Sequence, residues 1–396
     1  MTRSTPTFTF GIAEEYSLVD VTTRGLATET PPKLLSDLKT RLGDRFSTEF
    51  MRSQIEVGTS VHTSIADARA ELIDMRKLIA KRATLHGLAP MAASTHPFSR
   101  WGHQHHRDTP RYNEIAESFR GLGRRMVVNG LHVHVGIEDD NARIEVMNDM
   151  RAFLPTLLAL SGSSPFWEAE NTGLKSYRTA INEATPRKGI PEDFANWGDF
   201  ERTMHVLVSA GVMEDASKVW WDLRPSIRFP TLEMRITDVC PKVEDGICLA
   251  AIYRCLCRYL YRTRRARSKS PALPLFLINE NRWRAERYGV SEGLIDFATG
   301  RVEPFIEVVE GLLDLIAEDA SFFGCEAEAE HAMAIATRGT SSDRQLARYR
   351  KLRKAKLTHR QALKGVVDGL LEETVSDPAL RHRPAVSKRD SLALAA

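Results

Sequence analysis

The stretch TFTFGIAEEYSLVD, residues 7–20, alternates apolar and polar side chains and reads as a β-strand. Phe8, Phe10, Ile12 and Leu18 fall on one face; Ala13, Glu15 and Ser17 fall on the other. Three further stretches repeat the pattern. In EFMRSQIEVGT, residues 49–59, Ile55 and Val57 oppose Gln54 and Glu56. In MVVNGLHVHVGI, residues 126–137, a turn signal at Asn129-Gly130 precedes Leu131, Val133 and Val135, which alternate with His132 and His134. In TLEMRITD, residues 231–238, Leu232, Met234 and Ile236 oppose Glu233 and Arg235.

Helical spacing marks residues 64–86, with Gly87 as the expected C-terminal stop, and residues 111–125. Residues 148–160 read as an apolar helix kinked at Pro155. From Glu244 the chain reads as helical almost to its end. Residues 91–110 form a loop rich in His, Arg and Trp, and residues 161–197 a long loop of the functional kind. Strands early and helices late predict an α+β fold, a mostly antiparallel sheet with helices packed on one face.

Composition narrows the class. A hydrophobic share of 42% and a charged share of 27% exclude a disordered or collagen-like chain. The net charge of +3, from 55 basic and 52 acidic residues, does not point to nucleic acid or to a membrane surface. Five cysteines are an odd number, and Cys255 and Cys257 lie in the apolar run AIYRCLCRYL, so buried reduced thiols are expected. The N-terminus has no signal-peptide core and no stretch is apolar enough to span a membrane, so a cytoplasmic protein is expected.

The polar faces of these strands carry Glu15, Glu56, His132, His134, Glu233 and Arg235. Each has a plainer reading alone. A lone strand glutamate is usually solvated, an HxH pair is often structural, and Glu233 with Arg235 could form a surface pair worth under about 1 kcal/mol. Together they place carboxylates and imidazoles on one surface, where the acids repel unless a cation lies between them. An oxygen-rich set favours Mg2+, or Mn2+, with nucleotide phosphate over thiolate zinc. There is no Walker A motif; Gly121-Leu122-Gly123 is followed by arginines. Phosphates would then be held by Arg178, Arg224, Arg228 and Arg235, whose planar forks suit them. His103, His105 and His106 lie in a loop without thiols and read as an active-site loop or solvated turn rather than a zinc site. Arg258, Arg262, Arg264, Arg265 and Arg267 read as a solvated helix end that complements the helix dipole.

The motifs FGIAEEYSLVD, SQIEVGT, THPFSRW, NGLHVHVGI, SGSSPFWEAENTGLKSYR, WWDLRPSIRFPTLEMRITD and NRWRAERYG occur in this order from Phe8 to about Gly300. Taken together they resemble the YbdK-type carboxylate–amine ligases, the type 2 glutamate–cysteine ligase family. The resemblance implies a glutamine-synthetase-like sheet over residues 1–300, a helical extension over 301–375 and a fraying tail over 376–396. It implies an ATP-dependent reaction in which the γ-carboxylate of glutamate becomes an acyl phosphate and an amine, typically that of cysteine, displaces the phosphate. Glu15, Glu56, His132 and Glu233 match metal ligands. His134, Arg235 and Arg228 match groups near the nucleotide, and Arg235, Arg224 and Arg178 match groups on the substrate carboxylate or transferred phosphate. A homodimer is expected from the same resemblance.

The first strand departs from the family's Gly-x-Glu-x-Glu pattern. Ala13 replaces the first acid, and Glu14 points to the opposite side. Two alternatives follow. One is a nucleotide- or partner-binding homologue with impaired catalysis. The other is a metal-dependent amide hydrolase, which the HxH pair would also suit.

Overall fold

The structure, a computed structural model, describes residues 5–267 and 273–376. In chain order the strands are β1 (Phe10–Asp20), β2 (Phe46–Thr48), β3 (Gln54–Gly58), β4 (Leu88–Met91), β5 (Leu131–Gly136), β6 (Phe166–Trp167), β7 (Glu170–Asn171), β8 (Leu223–Pro225), β9 (Thr231–Met234), β10 (Leu294–Asp296) and β11 (Arg301–Glu303). Seven of them form one sheet in the order β2-β3-β1-β5-β9-β8, with β4 also on β1, and every pair is antiparallel. The remaining four make two small hairpins. This open antiparallel sheet confirms the α+β expectation and offers no barrel for the hydrolase alternative.

The helices are α1 (Pro32–Leu42), α2 (Ile65–Thr84), α3 (Pro110–Phe119), α4 (Asp140–Met150), α5 (Leu154–Ser161), α6 (Tyr177–Glu183), α7 (Trp197–Ser209), α8 (Val243–Arg267), α9 (Leu275–Tyr288), α10 (Phe305–Phe323), α11 (Glu326–Arg338), α12 (Ser341–Lys354) and α13 (His359–Val375). Helices α2, α4 and α8 pack against the apolar face of the sheet. From Cys248 to Cys257 every side chain of α8 except Arg254 is apolar and buried, as befits a helix enclosed on all sides. All five cysteines are free and buried. Helices α10 and α11 pack against α8 from beyond.

Several boundaries differ from expectation, each for a local reason. The strand expected over residues 49–59 is shorter: β3 takes up its second half, and its first half is the turn that joins β3 to β2 in a hairpin. Helix α2 starts at the Ser64 cap, whose Oγ accepts from Asp67 N, and Gly87 follows its end at φ 68°. Pro155 does not kink a helix; it opens α5, where its missing N–H is not needed. The expected loop 161–197 contains β6, β7 and α6. Asn129-Gly130 is no turn but an extended entry to β5. Asn129 is fully buried, donating to Ser17 Oγ at 2.8 Å and Ala93 O at 2.9 Å.

The arginines of α8 are not a solvated end. Arg258 and Arg262 both bond the fully buried Asp319 of α10, at 2.6 and 3.0 Å. Arg264 lies 3.7 Å from the centre of the Tyr261 ring. The side chains of Arg265 and Arg267, and residues 377–396 of the expected tail, lie outside the described residues.

Strand β1 carries two adjacent acids to opposite sides. Glu14 points into the core, fully buried, and pairs with Arg76 of α2 at 2.6 and 2.8 Å. Arg76 also donates to Pro241 O, Cys240 O and Thr374 O. Arg76→Met should cost about 3–5 kcal/mol, because it leaves the Glu14 carboxylate buried and unpaired. Glu14→Met with Arg76→Met should recover most of that loss. Urea unfolding midpoints check both; a single variant as stable as the parent would remove this pair from the fold's foundations.

Candidate active site

The face of the sheet opposite the helices gathers the predicted polar residues. β1 pairs with β3 so that Glu15 stands opposite Glu56, and with β5 so that Ala13 stands opposite His132. His132 Nε2 lies 3.9 Å from Glu15 Oε1, and its Nδ1 lies 3.9 Å from Glu56 Oε1. Ligand atoms of all three come within 4.8 Å of one another, and among the described residues no other such group forms.

A further acid beside this group went unread in the sequence. Glu49 follows β2 and is folded back toward Glu56 and Glu15. Its carboxyl is pushed well above the usual carboxylate range, by burial first and then by those two carboxylates. Reading residues 49–59 as one straight strand hid it; a hairpin, with Ser47 opposite Glu56, brings it round.

Charge repulsion shows in Glu15 as well. Burial, then the Glu56 carboxylate, raises its pKa to about 7, against the pull of Arg178 and Arg235. Its Oε2 accepts from Gly130 N at 2.5 Å. Gly130 must lack a side chain, since a Cβ there would lie 2.5 Å from the Arg178 guanidinium and 3.0 Å from His132 Nε2. Burial, followed by the charge of Arg235, lowers the His132 pKa well below its ordinary value, so the imidazole is neutral and free to ligate. Three carboxyls and a neutral imidazole on one surface have the chemistry of a hard divalent-cation site.

Glu233 stands apart from this group. It was expected on an exposed face, but it is 2% exposed. Arg224 bonds its Oε2 at 2.7 and 2.8 Å, while Arg235 bonds Oε1. Despite burial, those two guanidiniums hold its carboxyl well below the usual range. His134 stands opposite it on β5, with Nε2 3.6 Å from Oε1 and Nδ1 2.9 Å from Thr231 Oγ1. Arg178 is 5% exposed; it donates to Ile236 O at 3.1 Å and Arg235 O at 3.0 Å, while its Nε has no partner. Arg228 is not brought in: it sits exposed on the turn between β8 and β9, 5.2 Å from the Phe229 ring centre.

The loop histidines do not build a metal site. His106 bonds Asn113 at 3.0 Å and stacks on Phe50, and His105 is exposed. His96, from the THPFSRW motif, is structural. Its Nδ1 accepts from Phe98 N and Ser99 N, and burial lowers its pKa to about 3.

An antiparallel sheet that presents clustered carboxyls and an imidazole beside a row of arginines has the chemistry to hold a cation next to an anion. The profile of glutamate-cysteine ligase family 2 matches residues 9–375, and the chain belongs to this family of carboxylate–amine ligases. A Rhodospirillum rubrum protein named "Putative glutamate--cysteine ligase 2" is 49% identical over 375 residues, 94% of this chain and 96% of its own. A Jannaschia protein of the same name is 48% identical, over 92% of this chain and 96% of its own. Among solved structures, the glutamate–cysteine ligase of Francisella tularensis in complex with AMP superposes with a TM-score of 0.67 at 13% identity, over 95% of this chain and 90% of that one. A bifunctional glutathione synthetase from Pasteurella multocida gives 0.68 at 14% identity, over 92% of this chain. The chain spans about half of that protein, 52%. At these identities the two structures establish the fold.

The raised Glu15 pKa carries a sign. The folded protein holds this proton at pH values where the unfolded chain, with its carboxyl near 4.5, has lost it. Metal-free stability should therefore fall as pH rises from about 4.5 to about 7. Mg2+ or Mn2+ should raise Tm more near about pH 8 than near about pH 5, where protons compete for the site. Thermal melts at both values check this; equal shifts would place the cation elsewhere.

Proposed function

We propose that this carboxylate–amine ligase is ATP-dependent and joins the γ-carboxylate of glutamate, or a close analogue, to an amine such as that of cysteine, through an acyl phosphate. The observation that supports it is the adjacency, on one sheet face, of the Glu15, Glu49, Glu56 and His132 group to the arginines Arg178, Arg224 and Arg235.

Phosphoryl transfer needs positioning and charge neutralisation more than covalent help. Glu15, Glu49, Glu56 and His132 would hold Mg2+, which supplies neutralisation of phosphate charge when bound. Arg235 and Arg224 already meet at Glu233, which keeps both guanidiniums fixed at 2.8 Å or less and charged. Fixed donors of this kind cost no reorganisation when negative charge develops beside them. Arg178, with its free Nε beside Glu15, suits a substrate carboxylate. The same reading includes cytoplasmic location and a homodimer, both taken from the family resemblance.

The first experiment is phosphate release from ATP with Mg2+ and glutamate, with and without cysteine and a panel of amines. Amine-dependent release with an amide product by mass spectrometry is expected. Folded protein that releases nothing with any amine would reject the reading in favour of a non-catalytic homologue.

Two variants separate the halves of the site. Glu56→Ala should lower turnover on the order of 100-fold without lowering the urea midpoint, since Glu56 is half-buried and, among the described residues, its ion-pair contact is the neutral His132 imidazole at 3.9 Å. Glu233→Ala should lower turnover and also cost about 2–3 kcal/mol of stability, because it leaves Arg224 and Arg235 facing each other. Steady-state rates and unfolding curves on the same preparations test the contrast.

A further inference from the structure

Between α6 and α7 the backbone is left-handed at Arg187, φ 60°, and at Gly189, φ 89°. For a non-glycine residue that conformation persists only where its surroundings hold it. Three hydrogen bonds do so: Trp220 N to Arg187 O at 2.9 Å, Asp222 N to Gly189 O at 2.8 Å, and Arg187 Nε to Lys218 O at 2.9 Å. They set Lys188, between the two, at a boundary.

On one side Lys188 lines a cleft of about 500 Å³, shared with Glu183, Ile190, Asn279, Trp283 and Glu286. On the other, its loop adjoins the polar face of the sheet, since Asp222 N donates to Gly189 O and Arg235 N donates to Asp222 O, each at 2.8 Å, and the charges of Arg235, Arg178, Asp222 and Glu15 act on it. Its Nζ reaches Asn182 Oδ1 at 3.5 Å and lies 5.7 Å from the centre of the Trp220 ring. Among the described residues it has no carboxylate partner. The nearby acids are committed elsewhere: Asp222 and Glu183 bond Arg282, and Glu286 lies 3.7 Å from the same guanidinium. A half-buried ammonium with no bonded carboxylate gives up its proton more easily than a solvated one. Burial, then the charges of Arg235 and Arg178, bring Lys188 to about 7, against the opposing pull of Asp222 and Glu15. Burial raises Glu286 in the cleft to about 7 as well, so near neutral pH its negative charge is only partial.

We infer that Lys188 is the proton acceptor for the amine substrate, which enters through this cleft and reaches the activated carboxylate past the Lys188 amine; the inference rests on the ligase reading above. The step balances as follows. Neutral Lys188 takes one proton from the R–NH3+ group, leaving R–NH2 and a Lys188 ammonium. The amine lone pair forms the C–N bond at the acyl carbon. The C–O bond to phosphate breaks with its electron pair, and the second nitrogen proton leaves with the departing phosphate as HPO4 2−. Lys188 then returns its proton to water through the cleft.

Hydroxylamine separates this role from the rest of the reaction, because it is uncharged at neutral pH and has no proton to surrender before attack. Wild type, Lys188→Met and Lys188→Arg are assayed with Mg2+, ATP and glutamate against hydroxylamine, cysteine and methylamine. Both variants should form hydroxamate at rates near wild type. Both should lose amide formation roughly 100-fold near neutral pH and regain it about tenfold per pH unit toward the amine's own pKa. The arginine variant keeps the charge but cannot act as a base, so a purely electrostatic role would spare it and overturn the inference. Amide rates unchanged in Lys188→Met would overturn it too. So would loss of hydroxamate and amide together in folded variants, which would place Lys188 on the phosphate or the donor. Wild type that forms hydroxamate but no amide with either amine would also count against a resident base. Wild type that forms neither product would instead remove the ligase reading itself.

Discussion

The buried pair between Glu14 and Arg76 is the constraint on which the site depends. Strand side chains alternate, so a slip of one residue in β1 would exchange its two faces. Glu14 would then enter the site and Glu15 the core. The pair forbids this, because Arg76 is anchored by α2 and also donates to Pro241 O, Cys240 O and Thr374 O. Tyr16, fully buried two residues on, donates its hydroxyl to Glu14 and tightens the same register. A charged pair in a core is a poor source of net stability, but it is costly to satisfy in any other arrangement. Its use here is positional. One residue away, Glu15 is delivered opposite Glu56 and beside His132.

Much of this was legible in the sequence because period-2 alternation is a local signal. It located β1, β3, β5 and β9 and put Glu15, Glu56, His132 and Glu233 on the correct sides. What was illegible depended on long-range partners. Glu49 becomes part of the site only because a three-residue strand turns back, and three residues carry no periodicity. β8 also has three residues and β4 has four. Arg258 and Arg262 read as a solvated run because Asp319, which they bond, lies 57 or more residues further along. The proline of α5 was read by its ability to break a helix, while its tolerance at a helix start decided the outcome. The burial of Glu233 follows from β8, which brings Arg224 alongside it.

Two regimes of carboxylate chemistry share one sheet face. On the side of β2 and β3, Glu15 and Glu49 are pushed up, because burial and mutual repulsion are not offset by a committed cation. On the side of β8 and β9, Glu233 is pushed down, because two arginines already neutralise it. The same residue type therefore has opposite jobs. The first set keeps carboxyls that no cationic side chain has neutralised. The second has already spent its charge on orienting Arg224 and Arg235, so it acts as a brace for guanidiniums before it can act as a ligand.

Ala13 sharpens that division. It sits on β1 between the two regimes, opposite Gly58 on one side and His132 on the other. A Cβ at Gly58 would meet nothing within 4 Å, so the sheet face is open there. With a glutamate at position 13, negative charge would continue across β1 toward β9 and compete with Glu233 for Arg235. With alanine, the acidic end and the basic end stay separate. The face becomes a dipole, with cation affinity at β2–β3 and anion affinity at β9. An alanine at position 13 thus adds no charge between Glu15 and His132 and leaves intact the gradient from the carboxyls at β2–β3 to the guanidiniums at β8–β9.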